Sequence, residues 1–130
     1  MKKIGIIGAR ARDSEHDLLC CVGQFLKIYE LGDEIVSGGC PKGGDFFAEV
    51  IAEAFEVPIT LFLPDWDKHG KAAGFIRNKL ISDASDVIIA LVTEDEKFCK
   101  GTMHTVSMFK KNGKKVILDY DEEEFNPENI

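Results

Sequence analysis

Most of the residues in this chain that could do chemistry sit in glycine-punctuated stretches. The stretch Ser37-Gly38-Gly39-Cys40-Pro41-Lys42-Gly43-Gly44-Asp45 holds four of the chain's twelve glycines. Glycine lets backbone N–H groups approach an anion closely, and the start of a helix adds unsatisfied donors, so a phosphate or carboxylate is the natural guest. The competing reading is a tight strand-to-helix turn with Asp45 as its N-cap. Neither a Walker A loop nor G-x-G-x-x-G fits, because Gly44 and Asp45 stand where the lysine and hydroxyl should follow the last glycine. Gly8-Ala9-Arg10 offers a guanidinium fork for a phosphate or carboxylate, or simply an exposed turn arginine. Cys99-Lys100-Gly101-Thr102-Met103-His104-Thr105 reads as a second anion cradle at a helix start, where Thr102 either contacts a ligand or caps the helix. His104 is expected in the first turn of that helix, where the dipole favours its neutral form and leaves it to hydrogen-bond a ligand or lie exposed.

The only tryptophan, Trp66, lies in a charged stretch beginning at Asp65 and ending at Arg77 and Asn78. A tryptophan there either stacks on a ligand ring or packs over a neighbouring helix. Asp65, Asp67 and His69 alternate as a metal site would, but such a run is ordinarily a solvated turn, and no metal is expected. The four cysteines form no C-x-x-C pair and read as reduced thiols. Cys20 and Cys21 belong to a helix core; Cys40 and Cys99 fall in the two loops of interest, where a reactive thiol is the minority reading.

The elements that must position these loops follow from periodicity. Short apolar runs at 2–8, 34–37, 58–63, 86–92 and 115–118 read as buried strands. Between them, 14–31, 45–55, 72–84 and 101–112 carry helical spacing, the first with Leu18, Val22, Phe25, Leu26 and Tyr29 on one stripe. Five strands alternating with four helices, with no hairpin dipeptides, predict an α/β Rossmann-like three-layer sandwich with a parallel sheet in the order 3-2-1-4-5. Ligands then bind at the carboxyl ends of the strands, where the order reverses. Residues 1–120 are expected to form this domain, and 119–130 an acidic, solvated or loosely docked end.

At 130 residues with 45% hydrophobic content, the chain suits one globular domain. Its net charge of −7 argues against a nonspecific binder of nucleic acid or anionic membrane. Its apolar runs are too short to span a bilayer, and Met-Lys-Lys leads straight into a strand with no cleavage site, so a cytoplasmic location is expected.

Taken together, strand-G-A-R, S-G-G-x-x-K-G-G-D, D-W-D-x-x-G-x-x-A-G-x-x-R-N and G-T-x-H-T resemble the SLOG superfamily, specifically its small YspA-like branch. The resemblance runs from Ile4 to Leu118, and the tryptophan block is its most specific part. It implies a Rossmann-like domain that binds nucleotides or nucleotide-derived ligands, often as a sensor or processing module in prokaryotic and phage conflict systems. Related Lonely Guy phosphoribohydrolases cleave the N-glycosidic bond of nucleoside monophosphates with an arginine and a glutamate in G-T-x-x-E. Arg77 matches that arginine, whereas Thr105 stands at the glutamate position, so Asp45 or Asp65 would have to supply the carboxylate.

The expected activity is therefore reversible binding of a small nucleotide-type ligand, with no other cofactor, no nucleic acid and a homodimer as an open option. Gly8, Arg10, Ser37, Gly38, Gly39, Gly43, Gly44, Asp45, Asp65, Trp66, Arg77, Asn78, Gly101, Thr102 and His104 are the candidate ligand residues. The alternatives are a nucleotide N-glycosidase using Arg77 with Asp45 or Asp65, and an interaction module whose glycine loops only turn the chain.

Overall fold

The sheet forms because five apolar runs put side chains on both of its faces. In the computed structural model, which describes residues 1–94 and 99–120, β1 (Lys3–Gly8), β2 (Glu34–Ser37), β3 (Ile59–Leu61), β4 (Val87–Val92) and β5 (Lys115–Tyr120) pair in the order β3-β2-β1-β4-β5. Every pairing is parallel. This is the order that the alternation of strands and helices predicts, with the reversal between β1 and β4.

Alternation along the strands divides the core in two. Ile4 and Ile6 of β1, Ile35 of β2 and Val87, Ile89 and Leu91 of β4 face α1 (Glu15–Ile28) and α2 (Gly44–Ala54), where Cys21, Phe25, Phe47 and Ile51 meet them. Ile7, Val36, Ile88, Ala90 and Val92 face the other side, against α4 (Ala73–Ala84) and α5 (Lys100–Lys111), with Ile81, Val106 and Phe109. A short α3 (Trp66–His69) and one 3-10 turn (Gly70–Ala72) lead into α4.

Ser14 stops α1 at its start through a capping box: its side chain accepts from the Asp17 N–H, and Asp17 accepts from the Ser14 N–H. The helix begins one residue later and ends three residues earlier than its apolar stripe suggests. Leu26 is exposed while Cys21 is buried, so the core stripe runs Cys21–Phe25, with Leu18 and Val22 half-buried beside it. Burial pushes the Cys21 thiol up to about 12, which makes it a packing residue. Cys20, one position round the helix, is half-buried.

Three further expectations need correction. The third strand is a three-residue edge strand, half exposed because it has a neighbour on one side only. Residues 65–71, read as a loop, contain α3 and the 3-10 turn. Asp119 and Tyr120, assigned to the acidic end, complete β5, and Asp119 is drawn into the domain by Arg12 and Gln24. The remainder of that end, 121–130, lies outside the described residues.

Gly23 sits in the interior of α1, and a Cβ there would meet nothing within 4 Å. Gly23→Ala should therefore stabilise the protein by about 0.5–1 kcal/mol through reduced chain entropy alone. Thermal unfolding checks this as a rise of roughly 2–4 °C.

Candidate functional site

At the reversal point the loops after β1, β2 and β4 converge on α4. Together they enclose a pocket of about 270 Å³. Its floor is apolar, from Ile7 and Ile81, and its rim carries Gly8, Ala9 and Arg10 after β1, Cys40 after β2, and Cys99 to Thr102 at the start of α5. Asp45, Arg77, Asn78 and Thr105 complete it. Arg10, Arg77 and Lys100 thus reach one concavity from three elements, and none forms an ion pair among the described residues.

Arg77 is held in place by its neighbours. Its Nη1 donates to the Gly38 carbonyl at 2.9 Å and its Nε to Asn78 Oδ1 at 3.0 Å. Asn78 in turn donates from Nδ2 to the Gly101 carbonyl at 3.4 Å, which ties α4 to the first turn of α5. Among the described residues no side chain caps the α5 start, whose first residues line the pocket. Thr102 is therefore not the cap, and Thr105 spends its hydroxyl on the Gly101 carbonyl one turn back. His104 lies in the second turn rather than the first, beside Asn78 and edge-on to Phe75.

The glycines after β2 do a different job from the one their clustering suggests. Gly38, Gly39, Gly43 and Gly44 do not line the pocket. Two of this loop's N–H groups already serve protein carboxylates: Gly43 donates to Asp13 at 2.8 Å and Cys40 to Asp45 at 3.2 Å. Gly43 is the N-cap residue of α2 at φ 73°, and a Cβ on it would stand 2.5 Å from the Ala9 carbonyl oxygen. Gly38 is bare for a related reason, since Arg77 Nη1 and Asp45 Oδ2 each lie 2.7 Å from the point a Cβ would take. The glycines let the loops after β1 and β2, and Arg77, close on one another.

Asp45 lies one residue inside α2 and is not its cap. Its carboxyl is buried, and burial pushes it above its ordinary value against the opposing pull of the Cys40 N–H and of Arg77. Ser37 also pulls the value down without outweighing burial. Ser37 Oγ lies 2.6 Å from the Ile6 carbonyl oxygen and 3.3 Å from Asp45 Oδ1. A hydroxyl has one proton to give and the shorter contact has the better claim on it, so Ser37 does little to favour the ionised form of Asp45 over the protonated form. Asp45→Asn reproduces that protonated form, with Nδ2 toward Ser37 and Oδ1 accepting from Cys40. Ionising a buried carboxyl whose value is raised costs stability as pH rises through its titration, and asparagine has nothing to ionise. The melting temperature of Asp45→Asn should therefore exceed that of the unaltered protein at pH 8 and converge with it in acid, as paired thermal melts would show.

Trp66 and Asp65 sit elsewhere. Trp66 is 56% exposed and shares a shallow surface depression with Leu63, Pro64, Asp65 and Asp67. Asp65 caps α3, accepting from the Lys68 N–H at 3.0 Å. No group of three His, Cys, Asp or Glu able to hold a metal occurs among the described residues, the Asp65, Asp67 and His69 run included. No helix among them is long and apolar enough to cross a membrane.

Two residues escaped the sequence reading. Lys100 immediately precedes the glycine of the second cradle, a signal that was legible. Arg12, two positions after Arg10, looks like another loop cation but is 1% exposed and bonded to Asp17 and Asp119. Comparison of the chain with protein-family models, with curated proteins and with solved structures finds no match to any of them.

Proposed function

We propose that the pocket at the carboxyl edge of the sheet binds a small phosphorylated ligand of the nucleotide type, and that the protein works as a SLOG-type binding or sensor domain. The observation that carries this reading is the convergence of Arg10, Arg77 and Lys100, none in an ion pair among the described residues, on one pocket beside the start of α5. In a chain of net charge −7, three cations gathered in one concavity with a single carboxyl, Asp45, favour an anionic guest. A pocket of about 270 Å³ lies just below the usual span of ligand sites, roughly 300–1,000 Å³, which suits a small guest such as one phosphate and one sugar or base. Gly101 and Thr102 would meet the phosphate at the helix start, Arg10 and Lys100 its outer oxygens, and Arg77 the inner face.

A thermal-shift panel of nucleoside monophosphates, cyclic nucleotides, NAD and ADP-ribose tests it. A ligand at 100 times its dissociation constant adds about 2.7 kcal/mol, and that shift should disappear in Arg77→Ala. Absence of any shift across the panel would refute the reading.

Asp45, a buried carboxyl raised above its ordinary value beside Arg77, favours a second reading, nucleotide N-glycosidase. A buried carboxylic acid beside a fixed arginine can protonate a departing base while the cations hold the phosphate. This activity requires free base in the same mixtures by mass spectrometry, lost in Asp45→Asn; intact ligand throughout leaves binding alone.

A further inference from the structure

Asn78 is the joint between the two halves of the pocket, and it has one acceptor and one amide nitrogen to share among three neighbours. Its Oδ1 accepts from Arg77 Nε at 3.0 Å. Its Nδ2 lies 3.4 Å from the Gly101 carbonyl and 3.4 Å from His104 Nδ1. A carbonyl oxygen can only accept, so the amide orientation is set: Nδ2 must face Gly101 and Oδ1 must face Arg77. It follows that His104 Nδ1 is also an acceptor, and the neutral ring carries its proton on Nε2. The side chain of Asn78 is buried, and Phe75 holds the imidazole edge-on at 4.7 Å between ring centres, so neither group has room to turn without consequence.

We propose that His104 is a positioning residue for Arg77, and that its protonation releases the arginine from its pocket orientation. A second proton on the ring turns Nδ1 into a donor facing the Asn78 amide donors. Asn78 then either loses that contact or rotates its amide. Rotation puts Nδ2 against Arg77 Nε–H, donor against donor, and leaves the Gly101 carbonyl facing Oδ1. The guanidinium keeps only its bond to the Gly38 carbonyl and becomes free to swing. Among the described residues of the elements packed against His104 no unpaired carboxylate occurs, and the carboxyl facing Arg77 is Asp45 of α2. The charged groups on α4 are Arg77, Lys79 and Asp83, the last taken by Lys79. Those on α5 are Lys100, Lys110 and Lys111, β4 has none, and β5 has Lys115 and Asp119, the latter bound to Arg12.

The inference rests on Arg77 facing an anionic ligand, so its test has an arm that needs no ligand. In the full ¹⁵N-labelled chain, imidazole spectra at pH 8 should show His104 with Nδ1 unprotonated. On acidification the Arg77 Nε–H resonance should change with the same midpoint as His104 and stay constant in His104→Gln, whose amide oxygen offers an acceptor that does not titrate. Sulfate, which keeps its charge between about pH 5 and 8 where imidazoles change theirs, is the second probe. Its affinity should fall at least threefold from pH 8 to 5.5 in the unaltered protein and stay flat in His104→Gln. A bare extra positive charge would do the opposite. An Arg77 signal indifferent to His104, or sulfate affinity that rises in acid, overturns the proposal. Sulfate that binds at neither pH counts against the anion site, and the Arg77 resonance then decides the coupling alone.

Discussion

Arg12→Ala should destabilise the protein by about 3–5 kcal/mol, the usual effect of removing one partner from a buried ion pair. The guanidinium is 1% exposed and serves two carboxylates. Nε and Nη2 each stand 3.0 Å from Asp17 Oδ1, and Nη1 donates to Asp119 Oδ1 at 2.8 Å as well as to the Asp119 carbonyl. Ser14 and Gln24 satisfy the remaining carboxylate oxygens. Without the arginine, the buried Asp17 and the half-buried Asp119 face a cavity and each other, at the junction of the β1 loop, the start of α1 and the end of β5. At roughly 4 °C per kcal/mol for a domain of this size, the melting temperature should drop by more than about 10 °C near neutral pH.

The deficit should also depend on pH in a definite sense. Burial alone would push the Asp17 carboxyl up, but its hydrogen bonds to Ser14 and the pairing with Arg12 outweigh it and hold the group below its ordinary value. A lowered carboxyl contributes stability above its unfolded value, about pH 4, and that contribution is lost as pH falls through the folded value. The gap between the two proteins should therefore be widest near neutrality and shrink in acid. A gap that stays constant across the range would mean that lost packing, not lost pairing, sets the cost.

Gly44→Ala is expected to be of similar severity for a purely steric reason. A Cβ there would lie 2.4 Å from the Ile7 carbonyl carbon and 2.5 Å from both the Gly8 nitrogen and the Ile7 oxygen. All three are backbone atoms of β1, paired at this level with β4, and cannot move aside as a flexible side chain can. The start of α2 must shift away instead, carrying Asp45 and the Cys40 N–H that binds it. Overpacking typically costs about 1–3 kcal/mol, and an obstacle made of central-strand backbone belongs at or above the top of that range. Denaturant unfolding should show the loss as a lower midpoint, and ligand shifts should weaken with it because the pocket wall moves. A melting temperature within a degree or two of the unaltered protein would refute the account.

These two residues also mark the limit of what local sequence can say. Gly44 is conspicuous as a glycine before a helix, yet the cluster's appearance as an anion cradle is misleading. The reason for a glycine there is the β1 backbone, more than thirty positions away in the chain. Arg12 looks like a loop cation because its deciding partner, Asp119, is 107 positions distant. For Trp66 the sequence leaves ligand stacking and packing over a helix open for the same lack of information, since residue type does not say which way a short helix will present a side chain.

Where the sequence was sufficient, the governing forces are local and periodic. Continuous apolar runs of strand length, alternating with stripes of helical spacing, require a sheet covered on both faces, and the short connections leave parallel pairing as the economical arrangement. That reasoning reaches the strand order, the reversal between β1 and β4, and the edge at which a pocket should open. Which loop residues line that pocket, which carboxyl is pushed toward its acid form and which arginine is locked away depend on contacts between segments remote in the chain. Burial, hydrogen-bond partners and close backbone approach exist only once the layers have packed, and the tertiary structure alone decided them.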